Sequence, residues 1–116
     1  MATLEQAYEQ MGGDYADVLK RLMNESLVTR FASKFLEDQS YATLEASLEE
    51  GDAKKAFMAA HTLKGICQNL GFANLYEPVY EITECLRDGS LEGSDGLFPA
   101  VKAEYARTVE ALKTAL

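Results

Sequence analysis

No stretch of the 116-residue sequence alternates apolar and polar residues as a half-buried strand would; apolar residues return with helical spacing from end to end. Leu4, Ala7, Tyr8 and Met11 recur at i, i+3, i+4 and i+7, which predicts a short amphipathic first helix. Gly12-Gly13-Asp14 breaks that pattern and offers Asp14 as the N-cap of a long second helix. Leu19, Leu22, Met23, Leu27, Phe31 and Phe35 form one slowly drifting stripe along it. Asp38-Gln39-Ser40 marks a turn, and Ser40 is expected to cap a third helix carrying Tyr41, Leu44 and Leu48. Gly51 suits left-handed backbone at that helix's end, and Asp52 can cap a fourth helix from Ala53 to Leu70, stopped by Gly71.

A fifth helix is predicted from Asn74 to Arg87, with Pro78 near its first turn, where a missing N–H costs least. Asp88 to Gly96 reads as the longest loop, and a last helix covers Leu97 to Leu116. Short connections between long amphipathic helices imply antiparallel neighbours. The expected fold is therefore all-α, an up-and-down antiparallel four-helix bundle with a short additional N-terminal helix, in a single domain over residues 1–116. Its four members are expected to be the second, fourth, fifth and last helices, or a variant using the third.

Composition removes several function classes. A net charge of −8 argues against nucleic acid, because a binder must neutralise phosphates with Lys and Arg. No apolar run approaches the ~20 residues needed to span a membrane. The N-terminal MATLEQAYEQM has neither a basic start nor an apolar core, so no secretion signal is read. Cys67 and Cys85 are too few and too isolated for a disulfide framework or a CxxC metal site. A cytoplasmic, monomeric protein with reduced thiols is the expectation, and Met1 with a helix ending at Leu116 favours a stand-alone chain.

Autonomous kinase chemistry needs a nucleotide site, and no GxxxxGK[ST] phosphate loop exists; Gly89 to Gly96 contains glycines but no lysine. A di-metal bundle would want Glu-x-x-His motifs from two helices, and the single histidine has Met58 at its −3 position. Neither a metal nor a cofactor of the chain's own is expected.

That histidine, His61, lies in the fourth helix. On a helical wheel Ala56, Ala59, Leu63, Ile66, Cys67 and Leu70 share one arc, which must face the core. His61 falls opposite, with Lys54, Phe57, Lys64, Gly65 and Gln68. Phe57 is a large apolar group where a polar one would be expected. Gly65 costs a helix roughly 1 kcal/mol relative to alanine, yet lets another molecule approach closely. Lys54, Lys55 and Lys64 make the segment locally positive in an acidic chain. A neutral imidazole, with an unperturbed pKa of about 6.5, is a nucleophile near neutral pH. Lys64, one turn along, can offset the charge of a phosphoryl group on the ring, and Gln68 can donate to the same oxygens or meet a partner. The face suits docking together with transfer of an anionic group.

The segment HTLKGICQNLG (His61 to Gly71) resembles the signature of histidine-containing phosphotransfer (HPt) domains, His-x-x-Lys-Gly followed by a Leu-Gly helix end. The resemblance extends to FLED (Phe35 to Asp38) before a turn and EEGD before the histidine's helix. It implies a four-helix bundle whose exposed histidine takes a phosphoryl group from one response-regulator receiver aspartate and passes it to another. The implied partners are receiver domains and a hybrid sensor histidine kinase, with Mg2+ on the receiver only. Carried over by position, His61 is the phospho-acceptor through Nε2, Lys64 the phosphate-side cation and Gly65 the residue that leaves room. Lys54, Phe57, Gln68 and Arg87 would meet the receiver. Family members often have a Gln or Glu that orients the imidazole from the following helix; the matching spacing falls on Thr83, with Glu84 or a backbone carbonyl as alternatives. The rival reading is a four-helix interaction module that binds receivers without transfer.

Overall fold

Short polar side chains and left-handed turns set the helix boundaries. The computed structural model describes all 116 residues and contains seven helices: α1 (Leu4–Met11), α2 (Tyr15–Leu22), α3 (Glu25–Glu37), α4 (Ser40–Glu50), α5 (Ala53–Leu70), α6 (Ala73–Leu86) and α7 (Ser94–Ala115). Thr3 and Gln6 form a reciprocal capping box at α1. Asp14 accepts from the Asp17 N–H at α2 and Asp52 from the Lys55 N–H at α5, each satisfying a donor that has no partner within its helix.

α4, α5, α6 and α7 pack each against the next, and the short links at Gly51-Asp52 and Gly71-Phe72 make successive helices antiparallel. This is the up-and-down bundle, built on the variant that uses the Ser40 helix. α1 lies against α7, where the Ala2 N–H donates to the Thr114 carbonyl at 3.0 Å. The core runs from Tyr8, Met11 and Phe72 through Leu44, Leu63, Leu75 and Ile82 to Leu86 and Leu112, all fully buried. Phe72 packs at its centre, with its ring 4.9 Å from Phe35 and 5.7 Å from Tyr8 between centroids.

The expected long second helix is two helices. Met23 takes left-handed backbone at φ 78° with an exposed side chain, and Asn24 then caps α3 by accepting from the Leu27 N–H. The apolar stripe changes accordingly: Val18, Val28, Ala32 and Phe35 are buried, whereas Leu19, Leu22, Leu27 and Phe31 are half-buried. Each half turns its own face inward once the break frees it from the other. Ser40 is the first residue of α4 rather than its cap; the Asp38 carboxylate receives its N–H at 2.8 Å. α7 starts at Ser94, earlier than expected, and Pro78 lies inside α6 beyond its first turn.

The C-terminal end of α5 is tied by residues from α1 and α2. A helix leaves its last carbonyls without partners. Here the Gly71 and Phe72 N–H groups reach the Cys67 carbonyl. The Arg21 guanidinium donates to the Gln68 and Asn69 carbonyls at 2.9 and 2.7 Å, and the Tyr8 hydroxyl to the Leu70 carbonyl at 2.6 Å. The Gly71 carbonyl accepts from the Asp14 N–H at 2.8 Å. Every carbonyl from Cys67 to Gly71 is satisfied, and a cation sits at the negative end of the helix dipole.

Candidate functional site

α5 buries Ala56, Ala59, Ala60, Leu63, Cys67 and Leu70 and exposes His61 on the opposite side. Ile66, placed on the core arc by the wheel, is only half-buried. It sits at the edge of that arc and lines a shallow groove with Phe31, Phe35 and Lys34 of α3. Burial pushes the Cys67 thiol up, far from thiolate formation, as fits a core residue.

The imidazole is stacked, not hydrogen-bonded. The Phe57 ring, one turn earlier on α5, lies 5.8 Å from the His61 ring between centroids with planes 22° apart. The Arg87 guanidinium, from the end of α6, sits over the Phe57 ring at 5.3 Å. Arg87 is in turn held by Glu84, with Nη2 donating to Oε2 at 2.7 Å and Nε shared between Oε2 at 3.1 Å and Oε1 at 3.3 Å. The hydrogen bonds from Arg87 hold the Glu84 carboxyl below the usual carboxylate range, helped by the charges of Arg87 and Lys64. The same pairing raises Arg87.

Lys64 is half-buried, and its ammonium lies 5.8 Å over the Tyr80 ring of α6, which itself stacks on Tyr76. An aromatic face attracts a cation electrostatically and holds it near the ring. Gly65 is exposed, and a Cβ built there would meet nothing within 4 Å. No packing inside the molecule asks for glycine at this point.

The structure thus brings His61, Phe57 and Arg87 together, and links Lys64 through Tyr80 and the charge of Glu84 to the same stretch of α6. Lys54 and Gln68 are exposed on the His61 face without an ion pair or side-chain hydrogen bond. Thr83 does not serve as expected. It is fully buried, and its hydroxyl donates to the Val79 carbonyl of its own helix at 2.6 Å, not toward the imidazole. Sequence reasoning missed Tyr80. The signal was present, since Tyr80, Glu84 and Arg87 follow at i, i+4 and i+7 and so share one face of α6.

No three His, Cys, Asp or Glu side chains converge as metal ligands, and no helix is long and apolar enough to cross a membrane. What the site offers chemically is an exposed imidazole, a cation one turn along the helix, and open space beside both.

A family model described as Hpt domain matches residues 30–113. The match contains the whole of α4, α5 and α6 and leaves α1 and α2 outside. No curated protein and no solved structure matches the chain.

Proposed function

The chain belongs to the Hpt domain family, phosphocarrier modules of two-component signalling rather than kinases, and on that premise we propose that it is a phosphohistidine carrier in a multistep phosphorelay. His61 accepts a phosphoryl group from a receiver-domain aspartate and passes it to a second receiver. The observation that carries this reading is the exposed imidazole beside a glycine with empty space over it.

The Nε2 lone pair forms the N–P bond as the P–O bond of the aspartyl phosphate breaks, and the aspartate leaves as a carboxylate. Nδ1 keeps its proton, so the ring is cationic until that proton departs to solvent. Lys64 offsets the phosphoryl charge, and Gly65 lets the receiver bring its aspartate in line. Mg2+ belongs to the receiver's acidic pocket, and the phosphate that enters the relay comes from a hybrid sensor histidine kinase. The protein acts as a cytoplasmic monomer.

The rival reading, a module that binds receivers without transfer, draws on Thr83, which is fully buried and makes no hydrogen bond to the imidazole it would orient. Mixing the protein with a phosphorylated receiver separates the two. We expect acid-labile label on the wild type and none on His61→Gln, with both variants melting alike because the position is exposed. A wild type that binds the receiver and takes no label would sink the carrier reading in favour of the module.

A further inference from the structure

We infer that Phe57 is a positioning residue for His61, itself held by the Arg87–Glu84 pair, so that stacking sets the ring orientation that no hydrogen bond sets here. The inference rests on the carrier reading and deepens it. Three observations carry it. No protein group hydrogen-bonds either ring nitrogen of His61: Thr83 is fully buried and Glu84 is paired with Arg87. The Phe57 and His61 rings lie within 22° of parallel at 5.8 Å, so rotating the imidazole about its Cβ–Cγ bond opens the stack. Phe57 is fixed from two sides: it packs against the core, and Arg87 covers its ring at 5.3 Å.

The Glu84–Arg87 pair completes the arrangement. Both side chains are substantially exposed, and such a pair adds little to stability. Its bidentate geometry instead fixes the plane of the guanidinium, which a lysine could not reproduce. The chain of contacts runs from Glu84 through Arg87 and Phe57 to the imidazole. Phe57, half-buried on the His61 face, is therefore held by contacts within the molecule.

The test uses Phe57→Leu, which keeps an apolar side chain but loses the flat face, Phe57→Tyr, which keeps the ring, and Arg87→Lys. NMR of the wild type should show His61 ring protons shifted by the Phe57 ring current. That shift should vanish in Phe57→Leu, shrink in Arg87→Lys and survive in Phe57→Tyr. Transfer from a phosphorylated receiver should fall roughly tenfold to a hundredfold in Phe57→Leu and recover in Phe57→Tyr, because in-line attack tolerates little misplacement. The receiver's Kd, measured by calorimetry, should stay unchanged. A wild type without the ring-current shift, or a Phe57→Leu loss explained entirely by weaker receiver binding, overturns the positioning role and leaves the carrier reading standing. A wild type that shows the shift but takes no phosphate overturns the carrier reading, and with it the task given to Phe57.

Discussion

Gly71 and Gly65 belong to the same stretch of α5 and its cap, yet a Cβ added at the first would lie 2.7 Å from the Asp14 carbonyl oxygen and at the second would meet nothing within 4 Å. Gly71 takes left-handed backbone at φ 70°, where any L side chain is strained, and α2 fills the space beside it. Gly65 has ordinary helical backbone, and there glycine costs the helix roughly 1 kcal/mol relative to alanine. The fold gains nothing from Gly65 in return. One glycine admits the chain's own backbone; the other, on the carrier reading, admits someone else's. A crowded glycine and an uncrowded one therefore call for opposite expectations on substitution.

The largest effect that would break the contrast is at Gly65. Gly65→Gln should hold or raise thermal stability, by up to about 1 kcal/mol of helix propensity, while transfer falls on the order of a hundredfold. Full-rate transfer in that variant would end the clearance argument. Loss of transfer through unfolding alone would return the glycine to the fold.

Gly71→Ala should do the reverse. Left-handed backbone costs an alanine about 1–2 kcal/mol, and relief of the close approach to Asp14 adds to that, so denaturant unfolding should report a loss of about 2–4 kcal/mol. The folded fraction should transfer at the wild-type rate. A neutral Gly71→Ala would mean that the α2–α5 junction yields easily and that the contrast is weaker than the geometry implies.

The smallest effect is at Tyr8. Tyr8→Phe keeps the ring but leaves the buried Leu70 carbonyl without a donor, at a cost of about 1–3 kcal/mol. Burial pushes the Tyr8 phenol well above its usual range. A group raised in the folded state stabilises fully below its unfolded pKa, so wild-type stability should decline as pH climbs past about 10. Tyr8→Phe should show a shallower decline over that interval. An identical slope in both proteins would place the hydroxyl outside the junction's energetics.

The boundaries the sequence announced well were those with a dedicated residue. Asp14, Asp52, Gly51 and Gly71 each perform a task few other residues perform, and each was legible beforehand. Met23 was not, because a methionine in left-handed backbone has no compositional mark, and the apolar spacing continued through it. Asn24 was the missed clue, a cap residue standing just ahead of Glu25. At the site, one helix's periodicity was enough to expose His61 and Gly65. Thr83 and Tyr80 lie on the neighbouring helix, and which of its faces meets α5 depends on packing that a single-helix wheel does not contain. The family resemblance, carried over by position, pointed to Thr83; burial withdrew it and left Tyr80 and Arg87 beside the α5 face.

The docking of α1 on α7 has a kinetic consequence. The contacts among α4, α5, α6 and α7 join neighbours in the chain, so they close short loops and can form early. Bringing α1 onto α7 closes a loop of nearly the full chain, and the entropy of that closure is met by little until the rest is in place. α1 carries Tyr8, and α2 and its N-cap carry Arg21 and Asp14, so the last turn of α5 receives its partners at the end of folding. The stability lost in Tyr8→Phe should then appear as faster unfolding with an almost unchanged refolding rate in stopped-flow traces, and a slowed refolding arm would place α1 in the nucleus.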